Sequence, residues 1–313
     1  MNYEDKWREF LSLVSESKKG FFKKPDYEKI LNQMMELSRI FEEDEVEENA
    51  AAIHVEMSSI YNTLNKHAMK EKHLIAAAEA LARHMEKKKR TMSNYESHFK
   101  QDAFGFYNAA IKSAVSTNSR LMAGSYALQA GDRFKEMGEY SFSERFYRKA
   151  YAFYAGNSNL QLGILWNMLE ITIKQRAVHN LLKTIDNIWL FIMKDRTNPL
   201  DSTEHLQICE MITVLTLTRL HGKIRLNGRH RALLELYEID IPELAMKKTK
   251  DSEKEKTTLS GPEYSLFTKL VTAAWLVDKH EVGELLGDRD YQFVPTIVRE
   301  VSLLLLSDET RIP

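Results

Sequence analysis

Cysteine, proline and glycine are scarce in this sequence of 313 residues. A single cysteine, Cys209, excludes an intrachain disulfide and is typical of proteins in a reducing compartment. The 12 glycines and 6 prolines are few for a β-rich or loop-rich chain, because such chains use both residues in their many turns. Strong helix formers dominate instead, so the composition predicts an all-α protein.

An excess of one charge and long apolar runs are also missing. The 44 Lys and Arg residues and 45 Asp and Glu residues give a net charge of −1, which argues against a dedicated nucleic-acid-binding protein. No run approaches the roughly 18 apolar residues of a membrane span, and the charged N-terminal residues do not resemble a signal peptide. We therefore expect a cytoplasmic protein without direct membrane insertion. The basic run Lys87–Arg90 leaves a nuclear pool open, although cations at a helix C-terminus are the preferred interpretation.

Recognisable catalytic and ligand-binding motifs are absent from the sequence too. It has no HExxH, CxxC, GxSxG or Walker motif, and no GxGxxG that follows a strand. His221 and His230 are too isolated to predict a metal site. Asp288 and Asp290 flank an arginine that can neutralise one of them, and Cys209 lies in an apolar helical run. We therefore predict no catalytic residues, no bound metal and no cofactor.

Residues 119–154 are the most informative segment, because they predict two helices joined by a tight turn. Apolar residues recur there near the helical period, and small residues alternate with large aromatic ones, as close helix packing requires. This pattern predicts a tetratricopeptide-like repeat. Its structural positions are Phe134, Gly138, Tyr147 and Ala150. One such unit cannot bury its own apolar face, so neighbouring helix pairs must stack on it.

Further helix pairs are predicted on both sides of this segment. Ala77, Ala110 and Ala150 occupy similar positions, and their spacings of 33 and 40 residues bracket the 34-residue period of tetratricopeptide repeats. We expect one continuous elongated domain, an α-solenoid of antiparallel helices. Its predicted parts are a helical-repeat array (1–193), a linker (194–203) and C-terminal helices (204–313) with a flexible charged loop (246–262).

Two apolar regions are candidate partner-binding surfaces. The basic segment 18–26 contains Phe21 and Phe22, which either dock a partner or a membrane surface, or pack into the core while the lysines face water. The last two helices are apolar over much of their circumference, whereas a terminal repeat normally has a polar outer face. Either another protein covers these helices, or they fold back onto the aromatic-rich middle pair; both interpretations stay open. The predicted contacts there are Trp275, Phe293 and Leu303.

Four stretches resemble one known family, the forty-kilodalton huntingtin-associated proteins, also called factor VIII intron 22 proteins. WREFLSLVSESKKGFFKKPDYEKILNQMMELSRIF is similar to the family's opening helices and hinge. LMAGSYALQAGDRFKEMGEYSFSERFYRKA is similar to its central repeat, including Gly138 and Ala150. SLFTKLVTAAWLVDKHEVGELL and IVREVSLLLL resemble its final helices. The chain departs from the family where it has only a short NPLDS linker in place of a long proline-rich insertion.

The resemblance implies an all-helical, non-catalytic protein that binds huntingtin, a very large HEAT-repeat protein, as a one-to-one heterodimer. It would lie between the N- and C-terminal arms of huntingtin and fix their relative orientation. It also implies a link to early endosomes and vesicle trafficking through a Rab-type small GTPase. Large apolar interfaces are typical of obligate complexes, and the apolar C-terminal helices agree with that expectation.

Two functions from other classes remain open. One is a soluble adaptor that captures short peptides in a concave groove lined by basic or Asn side chains. Lys112, Asn118 and Arg145 are the candidates for such a groove. The other is an unrecognised helical enzyme, which would require clustered polar groups that the sequence does not display.

Overall fold

The computed structural model describes residues 3–18, 25–91, 98–194, 199–220, 223–239 and 257–307. Throughout these ranges the regular structure is helical and no strand occurs, which confirms the all-α prediction. None of the described helices combines the length and the apolar character needed to cross a bilayer. The helices are α1 (Tyr3–Ser17), α2 (Tyr27–Glu43), α3 (Glu47–Thr63), α4 (His67–Thr91), α5 (Phe99–Ser116), α6 (Arg120–Glu136), α7 (Tyr140–Phe153), α8 (Ser158–Lys174), α9 (Val178–Lys194), α10 (Pro199–Leu220), α11 (Gly228–Leu236), α12 (Gly261–Trp275), α13 (Lys279–Gly287) and α14 (Thr296–Leu306), with a 3-10 turn at Arg289–Tyr291.

The chain divides into two compact units, Met1–Asn157 and Ser158–Pro313. This division differs from the predicted boundary at the linker 194–203. α10 begins at Pro199, so the second half of that segment is helical. α9 and α10 pack against each other and share one apolar core, which places both helices in the second unit.

In the first unit, helices α2 to α7 pack in chain order, each against the next. Side chains also join alternate helices: Arg83 of α4 donates a hydrogen bond of 3.1 Å to Glu42 of α2. In the same way, Lys149 of α7 donates to Asn108 of α5. The result is a helical-repeat array with two layers, one containing α2, α4 and α6 and the other containing α5 and α7.

Large and small buried side chains alternate inside this array. Tyr107, Phe134 and Phe146 are fully buried, and the ring centroids of the last two are 5.6 Å apart. Alanine lets neighbouring helices approach closely between these rings. The alanines with no exposed surface include Ala50, Ala77, Ala110, Ala114, Ala123, Ala127, Ala130 and Ala150.

Six of the described helix connections share one turn geometry. In each, a single residue adopts a left-handed conformation with φ between 54° and 76°. The N–H of the next residue then donates to the carbonyl oxygen five positions earlier, as in the Schellman motif. The next helix begins one residue later, so each connection has three residues. The left-handed residues are Glu45, Asn65, Asn118, Gly138, Arg176 and Val277.

The second unit is built around α10, whose buried residues lie on all its sides. Helices α9, α11, α12 and α14 pack against it. A helix that is buried on all sides is typical of the centre of a domain. Its buried apolar residues are Cys209, Met211, Ile212, Val214, Leu215, Leu217 and Leu220.

The apolar C-terminal helices take part in this core. α12 packs against α10, and α14 packs against both α8 and α10. Phe267 and Leu270 of α12 are buried in the same cluster as Val298 and Val301 of α14. Packing within the second unit therefore accounts for a large part of the apolar circumference that the sequence predicts for these helices.

The predicted flexible loop 246–262 needs a correction at its C-terminal end. The side chains of Thr257 and Thr258 donate hydrogen bonds of 2.7 and 2.6 Å to the buried carboxylate of Glu210 on α10. The residues that follow lead directly into α12. This end of the segment is therefore fixed to the core, whereas residues 246–256 lie outside the described residues.

Candidate functional site

The five predicted partner-binding residues differ in their surroundings. Phe21 and Phe22 lie outside the described residues. Trp275 and Phe293 are half-buried against the core of the second unit. Leu303 exposes 58% of its surface. Of the three described residues, Leu303 alone presents most of its side chain to solvent, and the three do not form one exposed site.

The four predicted repeat positions lie at the hairpin of α6 and α7. Phe134 and Ala150 are buried. Tyr147 is also buried, and its hydroxyl donates a hydrogen bond of 2.5 Å to the carboxylate of Asp132. Gly138, with φ of +76°, is the left-handed residue of the turn. These residues shape the array and do not form a ligand site.

Charged side chains between α4 and α6 neutralise one another. Arg133 of α6 forms ion pairs of 2.9 to 3.2 Å with Glu79, Glu86 and Glu136. The hydroxyl of Tyr107 donates to Glu79 at 2.5 Å, and burial raises the pKa of this phenol. The charges of this network are therefore satisfied within the chain, and they position α4 against α6.

In the described part of the chain, the layer of α5 and α7 presents three cations without such partners. Lys112 on α5 and Arg145 and Lys149 on α7 are exposed, and within the described residues none of them pairs with a carboxylate. Lys149 instead donates to the side-chain oxygen of Asn108 on α5. Partial burial, and the positive charges of Arg145 and Lys112, lower the pKa of Lys149. The three side chains therefore form one positive surface.

Aromatic rings lie beneath two of these cations. The guanidinium carbon of Arg145 is 4.9 Å from the ring centroid of Phe104 on α5. The ammonium nitrogen of Lys149 is 5.6 Å from the ring centroid of Phe146 on its own helix. Cation–π contacts of this length are attractive, and they hold the charged groups over the seam between the two helices.

An apolar cleft extends this surface to the C-terminal ends of α5 and α7. The wall includes Arg120, which donates to the carbonyl oxygens of Phe153 at 3.0 Å and Ala152 at 2.9 Å. These bonds satisfy two carbonyls at the end of α7. The cleft has a volume of about 350 Å³ and is lined by Val115, Asn118, Arg120, Ala152 and Phe153. We call the three cations and this cleft together the α5–α7 groove.

The cysteine and two of the histidines are buried in structural positions. Burial raises the pKa of the Cys209 thiol to about 12, so the thiol is protonated and a poor nucleophile at neutral pH. The Nδ1 atoms of His54 and His73 are 3.2 Å apart, and burial lowers the pKa of each to about 4. Among the described residues, no group of three or more His, Cys, Asp or Glu side chains is arranged to hold a metal ion.

The polar residues that the sequence raised as weak candidates have structural contacts. His230 Nε2 lies 2.9 Å from Asp186 Oδ2, which joins the start of α11 to α9. Asp288 accepts a hydrogen bond of 3.2 Å from the N–H of Asp290 and caps the 3-10 turn. His221 lies outside the described residues. Each described contact stabilises the end of a helix or turn.

Comparison with known proteins does not identify the chain. No family model matches it, and no curated protein matches it at a significant level. The resemblance to the huntingtin-associated forty-kilodalton family therefore stays a prediction that rests on the stretches quoted above.

The sequence pointed to three residues of the groove and missed the others. Lys112 and Arg145 lie among the cations, and Asn118 lines the cleft. Lys149 and Phe153 were missed, although Lys149 follows Arg145 by one helical turn. Helical spacing reveals which residues of α7 share a face, but not that α5 lies beside that face. The sequence of α7 carries no signal that this helix pairs with α5, the alternate helix in the chain.

Proposed function

We propose that this protein is a non-catalytic helical scaffold that works by binding other proteins, and that its principal partner is huntingtin. The observation that carries the binding role is the α5–α7 groove, where exposed cations that pair with no carboxylate of the described residues adjoin an apolar cleft of about 350 Å³. A partner of complementary charge and shape that covers both features makes the free energy of binding more favourable. The choice of huntingtin rests on the family resemblance of the sequence.

Exposed apolar side chains outside the groove also support a protein partner. Leu121 in the first unit exposes 70% of its surface, and Leu276 in the second exposes 68%. Single exposed apolar residues are common on protein surfaces. Leu121 and Leu276 therefore support a protein partner only together with the groove. A partner that covered both residues would contact each of the two units.

The non-catalytic part of the proposal is supported by the state of the reactive groups. The Cys209 thiol is buried and protonated at neutral pH. The imidazole of His230 faces the carboxylate of Asp186, and Arg229 donates a second bond of 3.1 Å to the same carboxylate. These groups hold α9 and α11 together, and catalysis is not needed to explain them.

Within this proposal, the chain lies between the N- and C-terminal HEAT-repeat arms of huntingtin in a one-to-one complex. An obligate interface of this kind typically buries more than about 2,000 Å². A Rab-type small GTPase then links the complex to early endosomes in the cytoplasm. The position between the two arms and the link to a Rab-type GTPase both follow from the family resemblance, and each requires its own binding measurement.

Co-expression with full-length huntingtin from the same organism tests the proposal. We expect the two proteins to co-elute from size-exclusion chromatography with the mass of a one-to-one complex, also at high salt, because salt does not screen apolar contacts. Leu303→Glu should reduce the complex, whereas Lys183→Glu, at another exposed position, should not. A chain that elutes alone as a stable monomer beside huntingtin would refute the choice of partner.

A second candidate is an adaptor that captures short peptides. It is favoured by one observation, that Lys112 and Arg145 both lie near Lys149 on the groove and Asn118 lines the cleft. An adaptor of this kind is expected to be a stable monomer without huntingtin and to bind peptides in that state. Size-exclusion chromatography of the chain expressed alone therefore distinguishes the two candidates.

A further inference from the structure

We propose that the α5–α7 groove binds an acidic segment of a partner protein, with one apolar side chain in the cleft and carboxylates on the three cations. The inference deepens the proposed function and rests on it, because it assigns one protein contact of the scaffold to specific residues. It commits to an acidic polypeptide, since the groove joins positive charge to an apolar cleft within a single surface.

The spacing of the groove residues sets the shape of this ligand. Each of the two helices contributes three residues to the groove, spaced by four and then three positions. The three residues therefore lie in one line along their helix. The seven helical steps from Arg145 to Ala152 rise by about 10 Å. An extended segment spans that distance with about three residues. The two lines are Asn108, Lys112 and Val115 on α5 and Arg145, Lys149 and Ala152 on α7.

The electrostatics of the groove favour a carboxylate ligand. Partial burial, and then the positive charges of Arg145 and Lys112, lower the pKa of Lys149, so both of these charges repel the charge of Lys149. A bound carboxylate would relieve this repulsion. A carboxylate that bound the network between α4 and α6 would gain less electrostatic stabilisation, because Arg133 already has glutamate partners at 2.9 to 3.2 Å. The groove is therefore the better anion acceptor of these two surfaces.

A nucleic acid or a membrane fits the groove less well than a polypeptide. Specific nucleic-acid binding commonly uses about six to ten phosphate contacts, more than three cations can supply. The net charge of −1 also gives the chain no general attraction for polyanions. An apolar cleft of about 350 Å³ has the size to enclose one large apolar side chain.

Fluorescence anisotropy with the full chain and a labelled peptide tests the inference. The probe is a short fluorescein-labelled peptide in which a leucine lies three residues from a run of glutamates. We expect the double variant Lys112→Glu/Arg145→Glu to weaken binding at least about tenfold at low salt, because it replaces attraction with repulsion. Val115→Asp should weaken binding to a similar degree by placing a charge in the cleft. Lys66→Glu, an exposed lysine between α3 and α4, is the matched control and should leave affinity unchanged.

Two further probes separate the contributions of charge and cleft. Replacing the glutamates of the peptide by glutamines, or its leucine by serine, should each reduce binding to the wild-type chain about tenfold. Circular dichroism must show unchanged helicity for every variant. Equal binding of all the variants, or of all the peptides, would overturn the inference. So would a preference of the groove for phosphatidylserine vesicles or a DNA oligonucleotide over the acidic peptide.

The inference and the proposed function can fail separately. A chain that co-elutes with huntingtin but ignores the peptide would overturn the inference alone. A chain that binds the peptide through Lys112 and Arg145 but ignores huntingtin would overturn only the choice of principal partner. Size-exclusion chromatography of the double variant with huntingtin shows whether the groove contributes to that complex.

Discussion

The hydroxyl of Ser143 on α7 donates a hydrogen bond of 2.6 Å to the carbonyl oxygen of Gly131 on α6. A short side chain reaches a mid-helix carbonyl only where two helices approach closely. The ring of Tyr147 occupies the space beside the same glycine, since a Cβ atom added at Gly131 would lie 2.7 Å from Tyr147 Cδ1. The α6–α7 hairpin therefore depends on the absence of a side chain at this position.

The substitution Gly131→Ala should consequently destabilise the first unit. The overlap with Tyr147 forces the helices apart at a cost of about 2 kcal/mol, which outweighs the gain of about 1 kcal/mol from the higher helix propensity of alanine. Gly105→Ala is the matched control, because no atom lies within 4 Å of its added Cβ. It should stabilise α5 by about 0.5–1 kcal/mol. Thermal unfolding and hydrogen exchange of α6 and α7 measure both effects, and equal stabilities would contradict this account.

Val277 is the most strained of the left-handed residues in the six shared turns. Its φ of 61° is left-handed, and a β-branched side chain is strained in that conformation. Val277→Asn should raise the free energy of unfolding by up to about 1 kcal/mol, because Asn tolerates this backbone region. Asn65→Val introduces the opposite change in an equivalent turn and should cost a similar amount. Urea unfolding of both variants tests the pair, and shifts of the same sign would count against a common turn geometry.

The sequence predicted those parts of the helical-repeat array that depend on residues close together in the chain. The helical period and the alternation of aromatic and small residues around Phe134 depend on nearby positions, and Gly138 marks its own turn. Glu45, Arg176 and Val277 occupy the same turn geometry without being typical turn residues, so the sequence could not reveal it there. Their conformation follows from the packing of the helices on both sides.

The unit boundary and the groove depend on contacts between distant residues. The predicted linker 194–203 contains typical loop residues, yet α9 and α10 share one apolar core across it. In the groove, Lys112 and Arg145 are separated by a complete helix, and their proximity follows from the pairing of α5 with α7. Periodicity identifies the exposed face of one helix but not the helix beside it.

The carboxylate of Glu210 provides a test of the second unit. It is buried on α10 and accepts hydrogen bonds from the Tyr237 hydroxyl at 2.6 Å and the Thr258 N–H at 2.8 Å, besides the two threonine hydroxyls already described. Glu210→Gln replaces an acceptor by an amide that faces these donors. We expect a loss of about 2–3 kcal/mol in the free energy of unfolding, because buried polar groups become unpaired.

Tyr237→Phe is the graded control for this carboxylate. It removes one of the donors and leaves the others, so it should cost only about 1 kcal/mol. Thermal unfolding gives the overall effect. Hydrogen exchange of Thr258 and of the first turn of α12 shows whether the end of the segment is released. A Glu210→Gln protein as stable as Tyr237→Phe would show that the carboxylate does not hold this segment.

The buried pair His54 and His73 makes the stability of the first unit depend on pH. Burial, and then neighbouring positive charges, lower both pKa values from 6.5 to about 4 in the folded protein. These charges are Arg83 and Lys72 near His54, and His54 and Lys72 near His73, while Glu42 lies 3.7 Å from His54 Nε2. The unfolded chain binds more protons than the folded one between these pH values. Stability is therefore complete above pH 6.5 and is lost as the pH falls toward 4.

Thermal unfolding between about pH 7.5 and pH 4.5 measures this dependence. Near pH 5, titration of each histidine should lower the free energy of unfolding by about 2 kcal/mol relative to neutral pH, and titration of the pair by about 4 kcal/mol. His73→Asn keeps a polar group close to the position of Nδ1 and removes one titration, so its curve should be flatter. His280→Asn, at an exposed histidine beside Glu284, should follow the wild-type curve. If His73→Asn also followed it, the contact of 3.2 Å between the two imidazoles would not govern the acid sensitivity of the unit.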